Sequence, residues 1–162
     1  MTSRRIFLLG GSAAAIGVGG YLALDDTGAR ADDGFEVDLT DAQWRARLTA
    51  NEFAVLRQEA TEPAYSSPLN DENRDGTFVC AGCANAIYSS ATKYESGTGW
   101  PSFWTNIDGR VGTKTDYKLI FPRTEVHCGR CGGHLGHIFD DGPAPTGKRH
   151  CLNGLALDFV AA

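Results

Sequence analysis

The sequence predicts a mainly β domain with short helices on its N-terminal side, and three features point to it. Twenty glycines and six prolines require many turns and short elements. From Thr77 onward, apolar and β-branched residues come in short runs bounded by polar or glycine-rich stretches. Ahead of them, Thr40 to Glu62 has apolar residues at helical spacing.

In chain order, Thr40-x-x-Gln43 is a capping-box pattern followed by Trp44 and Leu48 at i, i+4. Thr49-x-x-Glu52 repeats it, with Phe53, Leu56 and Ala60 on one apolar stripe. Pro63 disfavours helical geometry at Glu62 and is expected to end the second helix. Asn70 to Gly76 is a polar loop with an Asp-Gly turn. Thr77-Phe78-Val79 leads into a cysteine pair, and Ile87-Tyr88 leaves it. Ser96 to Phe103 is a loop holding Trp100 and Phe103. Lys118 to Phe121, Thr124 to His127 and His134 to Phe139 are expected strands. Asp140 to Gly147 is a Pro/Gly loop, and the alternation of Leu155, Leu157 and Phe159 closes the chain with a strand.

At 162 residues and 42% apolar content, the chain holds one ordinary domain with a real core. A net charge of -5 argues against a nucleic-acid partner. The single methionine is the initiator, so a processed chain carries none of its own to oxidise. Residues 1–31 read as an export signal. Arg4 and Arg5 precede an uncharged, Gly/Ala-rich run from Ile6 to Leu24, as in twin-arginine signals for folded cargo, and Ala29-Arg30-Ala31 offers a small-x-small cleavage site. Residues 32–39 are then a linker and 40–162 the domain. The run could instead be an uncleaved membrane anchor, although its glycines make it a poor spanning helix. Export through the twin-arginine machinery would deliver the chain to the oxidising periplasm with any metal already loaded in the cytoplasm.

Four of the five cysteines fall into Cys-x-x-Cys pairs, Cys80/Cys83 and Cys128/Cys131. Four thiolates suit one tetrahedral zinc ion per chain, and a closed four-sulfur site is structural because no position is left for a substrate. The 44 residues between the pairs exceed a zinc-ribbon spacing, which predicts two separate hairpins brought together. The cysteine spacing does not match iron–sulfur patterns. A redox-dithiol reading lacks the βαβ pattern that would accompany it.

Cys151 is left over, either as a nucleophile or as a buried structural thiol. On an extended strand Arg149, Cys151 and Asn153 face the same way, which would set an amide donor and a guanidinium beside the sulfur. His134 and His137 are three apart, so a regular strand would put them on opposite faces. Both can serve one site only if the chain bends, for which Gly136 is the natural place. Either histidine could equally be a structural residue.

Gly97-Thr98-Gly99-Trp100-Pro101-Ser102-Phe103, Thr124-Glu125-Val126-x-Cys128-x-x-Cys131-Gly132, His134-Leu135-Gly136-His137-x-Phe139, Asp141-Gly142-Pro143 and Arg149-x-Cys151-x-Asn153 together resemble the methionine-R-sulfoxide reductase (MsrB) family. The resemblance runs from about Thr40 to Phe159. It implies two antiparallel β-sheets with short N-terminal helices, structural zinc on Cys80, Cys83, Cys128 and Cys131, and reduction of methionine-R-sulfoxide in oxidised proteins or peptides. It further implies Cys151 as nucleophile, with His134, His137, Asn153 and Arg149 around it, and a substrate wall of Trp100, Phe103 and Phe139. Arg149 and the histidines are expected to lower the Cys151 pKa. Two positions depart from the family pattern. Thr98 stands where many members carry a resolving cysteine, so the expected reductant is external, a thioredoxin-like protein or a small thiol. His150 stands where Tyr or Phe is usual, and strand alternation turns it away from Cys151. A non-catalytic zinc module and a thiol peroxidase are the alternatives.

Overall fold

A computed structural model describes residues 34–162. The expected export signal over residues 1–31 and the first residues of the expected linker lie outside them. The linker's second half packs on the domain: the Val37 N–H donates to the Arg130 carbonyl at 3.0 Å, and the Phe35 ring meets His127 edge-on at 5.7 Å.

Both expected helices form. In α1 (Asp41–Arg47) and α2 (Ala50–Gln58), Thr40 and Thr49 accept from the backbone of Gln43 and Glu52, whose side chains accept from the threonine N–H groups in return. Each cap contributes about 1 kcal/mol. Trp44, Phe53 and Leu56 are buried, as the 3.6-residue period requires. The second helix stops before Pro63 can act. Glu59 adopts a left-handed conformation (φ 57°), and the N–H groups of Glu59 and Ala60 both turn back to the Ala54 carbonyl.

Nine strands follow: β1 (Gly76–Cys80), β2 (Ala86–Ser89), β3 (Lys93–Tyr94), β4 (Ser102–Phe103), β5 (Val111–Asp116), β6 (Arg123–Cys128), β7 (His134–Phe139), β8 (Arg149–Leu152) and β9 (Leu157–Ala161). They form a three-stranded sheet of order β2-β1-β9 and a six-stranded sheet of order β3-β4-β8-β7-β6-β5, with antiparallel pairings throughout. The expected strand over Lys118 to Phe121 does not form. Those residues make the connection between β5 and β6, whose ladder runs from Val111↔Cys128 to Asp116↔Arg123.

The sheets meet through aromatic rings. Phe78 of β1 lies 4.9 Å from Phe103 of β4, Tyr88 of β2 lies 4.6 Å from it, and Tyr88 also meets His150 of β8. Side chains alternate along β8, so Leu152 and His150 face this core while Cys151 and Arg149 face the other way. His150 bonds the Tyr88 hydroxyl through Nδ1 at 2.8 Å, and burial brings its pKa down to about 4. The alternation that turned His150 from the nucleophile is therefore observed. Cys80 ends β1 and Cys128 ends β6, so the paired cysteines join the two sheets at one end.

Candidate active site

The four paired cysteines converge. The sulfurs of Cys80 and Cys131 are 3.7 Å apart, those of Cys83 and Cys128 are 3.6 Å apart, and all four lie within 4.8 Å of one another. Metal–thiolate bonds of about 2.3 Å in a tetrahedron place sulfurs about 3.8 Å apart, so the donor set fits an ion of that size. The two knuckles share one plan. The Cys80 N–H donates to Asn85 O and the Cys128 N–H to Gly133 O, each at 2.8 Å. The residue after each second cysteine is left-handed, Ala84 at φ 56° and Gly132 at φ 67°. At Gly132 a Cβ would come within 2.4 Å of the Phe35 ring, so only glycine fits both the conformation and the contact. Asn85 also donates from Nδ2 to the Cys128 sulfur at 3.4 Å.

On the outer face of the six-stranded sheet lies a pocket of about 150 Å³ lined by Thr61, Trp100, Arg123, Gly136, His137, Phe139, Cys151, Leu152 and Asn153. Cys151 pairs across the ladder with His137 on one side and Ser102 on the other. Cross-strand partners have Cβ atoms about 5 Å apart on the same face, so the thiol and the imidazole stand side by side. Arg149 pairs with Phe139, and its guanidinium lies 4.4 Å above that ring while holding both Asp141 carboxylate oxygens at 2.8 Å.

The two histidines do share a face, and the bend that achieves it falls just before Gly136. Val126 pairs with Gly136 but His127 pairs with His134, so Leu135 is the extra residue of a bulge. The rings sit 5.4 Å apart, edge to face. They differ in surroundings. His137 lines the pocket and its Nε2 is 2.8 Å from Asp116 Oδ2, which Arg123 also binds. His134 is buried behind it, 3.1 Å from Glu125, and borders a separate hollow of about 370 Å³ with Phe35 and Leu56. Burial holds the His137 pKa below its ordinary value, with Asp116 pulling the other way. Burial opposes charge on Glu125, yet His134 and Lys114 outweigh it and lower its pKa.

Three expectations need correction. Phe103 is no part of the wall: Ser102, its neighbour, is the partner of Cys151, so Phe103 points into the core and is fully buried there. Asn153 does not present its amide to the sulfur. Its Oδ1 accepts the Glu62 N–H at 3.0 Å and its Nδ2 donates to Leu135 O at 3.1 Å, so it ties the segment before Pro63 to β7. The Cys151 thiol is not pulled down overall. Burial pushes its pKa up, against smaller opposing effects of Thr98, Arg149 and Ser102.

Trp100 and Phe139 do wall the pocket, and Thr98 places its hydroxyl 3.9 Å from the Cys151 sulfur. Glu62 escaped the sequence reading. Its carbonyl accepts from the Trp100 indole at 3.1 Å, its carboxylate accepts the N–H groups of Gly154 and Leu155, and its own N–H holds Asn153. Burial raises its pKa against those two N–H donors. Asp116 and Arg123 were also missed. The signal for Glu62 was an acid directly before the proline expected to end the second helix. Asp116 and Arg123 had no local signal, because their partner His137 is remote in sequence.

Residues 48–161 match the family described as SelR domain. The chain is 47% identical to the peptide methionine sulfoxide reductase MsrB of Leptospira interrogans over 126 residues, covering 77% of this chain and 96% of that one. It is 48% identical to the protein of the same name from Methanosarcina barkeri, covering 76% and 87%. Against that of Bradyrhizobium diazoefficiens it is 46% identical, covering 75% and 88%.

Proposed function

The chain belongs to the SelR-domain family of peptide methionine sulfoxide reductases, and from that premise we propose that it reduces the R epimer of peptide methionine sulfoxide through Cys151, with an external thiol as reductant. It is an oxidoreductase. The observation that carries the mechanism is a thiol in a small aromatic-walled pocket, side by side with an imidazole whose far nitrogen is held by a carboxylate.

The Cys151 sulfur attacks the sulfoxide sulfur. An S–S bond forms as the oxygen takes up a proton. The oxygen then passes to Cys151 as the substrate S–O bond and the new S–S bond break, so that methionine leaves with its sulfur reduced by two electrons and Cys151 is left as a sulfenic acid. The thiol's own proton ends on that oxygen, so the step needs no outside acid. With the thiol pKa raised by burial, a neighbour must carry this proton, and His137 is the group placed to pass it. Trp100 and Phe139 take the methyl group, which leaves the oxygen on the His137 side. The S epimer would exchange the two.

One external thiol then condenses with the sulfenic acid, releasing water and leaving a mixed disulfide. A second thiol frees Cys151 and leaves with the first as a disulfide. The other four cysteines are gathered in one cluster, and the group at the position of a resolving thiol is the Thr98 hydroxyl, 3.9 Å from the sulfur, so no internal thiol is at hand. We assign zinc to that cluster on its four-thiolate donor set. Cys80, Cys83, Cys128 and Cys131 would hold it, and it would supply cohesion between the sheets, with no part in the chemistry. The Arg4-Arg5 run supports export by the twin-arginine machinery to the periplasm, where oxidised exported proteins are the substrates.

Turnover of separated R and S epimers of N-acetyl methionine sulfoxide with dithiothreitol tests the reading. R alone is expected to be consumed. Consumption of both epimers, or of neither by a folded, metal-loaded chain, would refute it.

A further inference from the structure

The segment between β5 and β6 exposes an unusual amount of apolar surface. Tyr117, Leu119, Ile120 and Phe121 are 77%, 59%, 94% and 78% exposed, four large apolar side chains in five positions. Scattered exposed residues need no explanation, but a contiguous patch marks a contact surface. The single charge among them is neutralised, since Lys118 pairs with Glu59 at 2.5 Å.

This patch is tied to the pocket. It springs from Asp116, which holds His137, and returns at Arg123, which lines the pocket, and the 2.5 Å Asp116–Arg123 ion pair closes its base. Its tip is three residues from an anchor, hence within about 11 Å of one. A pocket of about 150 Å³ takes a single side chain, so the residues on either side of that side chain must lie outside it, and Arg123, which anchors this loop, is part of the pocket's lining.

We propose that Leu119, Ile120 and Phe121 form a docking surface for the apolar residues that flank methionine sulfoxide in an unfolded polypeptide. The proposal rests on the reductase reading above. Methionine is among the residues most often fully buried, so a methionine sulfoxide arises within segments that carry other core residues a few positions away. Oxidation turns it polar and loosens the core around it, which exposes those neighbours together with the sulfoxide. The loop offers apolar contact with no net charge, which suits such flanks. An anionic membrane surface fits less well, because the protein carries a net charge of -5 and the loop's one lysine is paired.

The test compares the full-length chain with its L119S/I120S/F121S variant on three substrates: N-acetyl methionine-R-sulfoxide, and two peptides carrying methionine-R-sulfoxide between leucine and phenylalanine or between serine and glycine. The unaltered chain should favour the apolar peptide in kcat/KM by about tenfold, and the variant should lose that preference through KM while keeping its rate on the other two substrates. No preference in the unaltered chain, or an equal fall on all three substrates, overturns the docking surface. Binding of a fluorescent apolar-flanked peptide gives a readout independent of turnover. A chain inactive on every substrate refutes the reductase reading, and equal peptide affinity of the two chains then overturns the docking surface separately. Loop-dependent binding to phosphatidylglycerol vesicles without peptide preference would overturn it in favour of a lipid surface.

Discussion

Asp116 Oδ2 lies 2.8 Å from His137 Nε2, and the same oxygen is gripped by Arg123 at 2.5 Å. A proton on Nε2 satisfies the carboxylate, which leaves Nδ1 as the nitrogen to gain and lose a proton in the proposed reaction. Asp116 is thus the residue that sets the orientation and proton affinity of the imidazole beside Cys151.

Removing that carboxylate should shift the pH profile. His137 sits below its ordinary pKa of 6.5 because of burial, and Asp116 partly counteracts this by favouring the imidazolium. Asp116→Asn removes the counteraction, so the His137 pKa falls further and the activity limb that needs its proton moves to lower pH. At neutral pH kcat should drop by about tenfold or more. An unshifted profile in the variant would contradict the role. Asp116 itself is held well below its ordinary value of 3.8, chiefly by the Lys118 N–H and then by His137. Its folded pKa is depressed, so its contribution to stability is present above about pH 3.8 and is lost as the pH falls below it.

Phe103 and Phe139 should separate stability from binding. Phe103→Leu leaves a gap between the rings of Phe78 and Tyr88, and should cost about 1–2 kcal/mol in denaturant unfolding with KM little changed. Phe139→Ala strips the pocket wall beneath Arg149 and should raise KM by about tenfold with little effect on stability. A KM effect confined to Phe103 would restore it to the substrate wall.

Metal removal should act on the whole fold. The purified chain should hold one zinc ion. Chelation, or Cys131→Ser, frees β1 from β6 and should lower stability by more than about 3 kcal/mol, read as a fall in Tm. A metal-free chain with an unaltered Tm would contradict a structural site.

Features whose determinants are close in sequence were legible. Thr40 and Thr49 each find their capping partner three residues on, and both helices start where expected. The Cys-x-x-Cys pairs and the shared face of Arg149 and Cys151 follow from knuckle and strand geometry alone. What escaped depends on register. Whether Phe103 or Ser102 meets Cys151 is fixed only once β4 pairs with β8. The apolar run Lys118 to Phe121 looks like a strand because hydrophobicity suggests burial, whereas the ladder ends at the Asp116–Arg123 pair and leaves the run exposed. Burial likewise decided the Cys151 pKa: neighbouring charge was visible in the sequence, but the depth of the thiol was not.

The most direct test is a single turnover without reductant. The metal-loaded chain is mixed with one equivalent of N-acetyl methionine-R-sulfoxide and quenched with dimedone, and its peptides are weighed. The account predicts one equivalent of N-acetyl methionine, a dimedone adduct on Cys151 and full retention of zinc. A disulfide between Cys151 and any of Cys80, Cys83, Cys128 or Cys131, accompanied by zinc release, would contradict it.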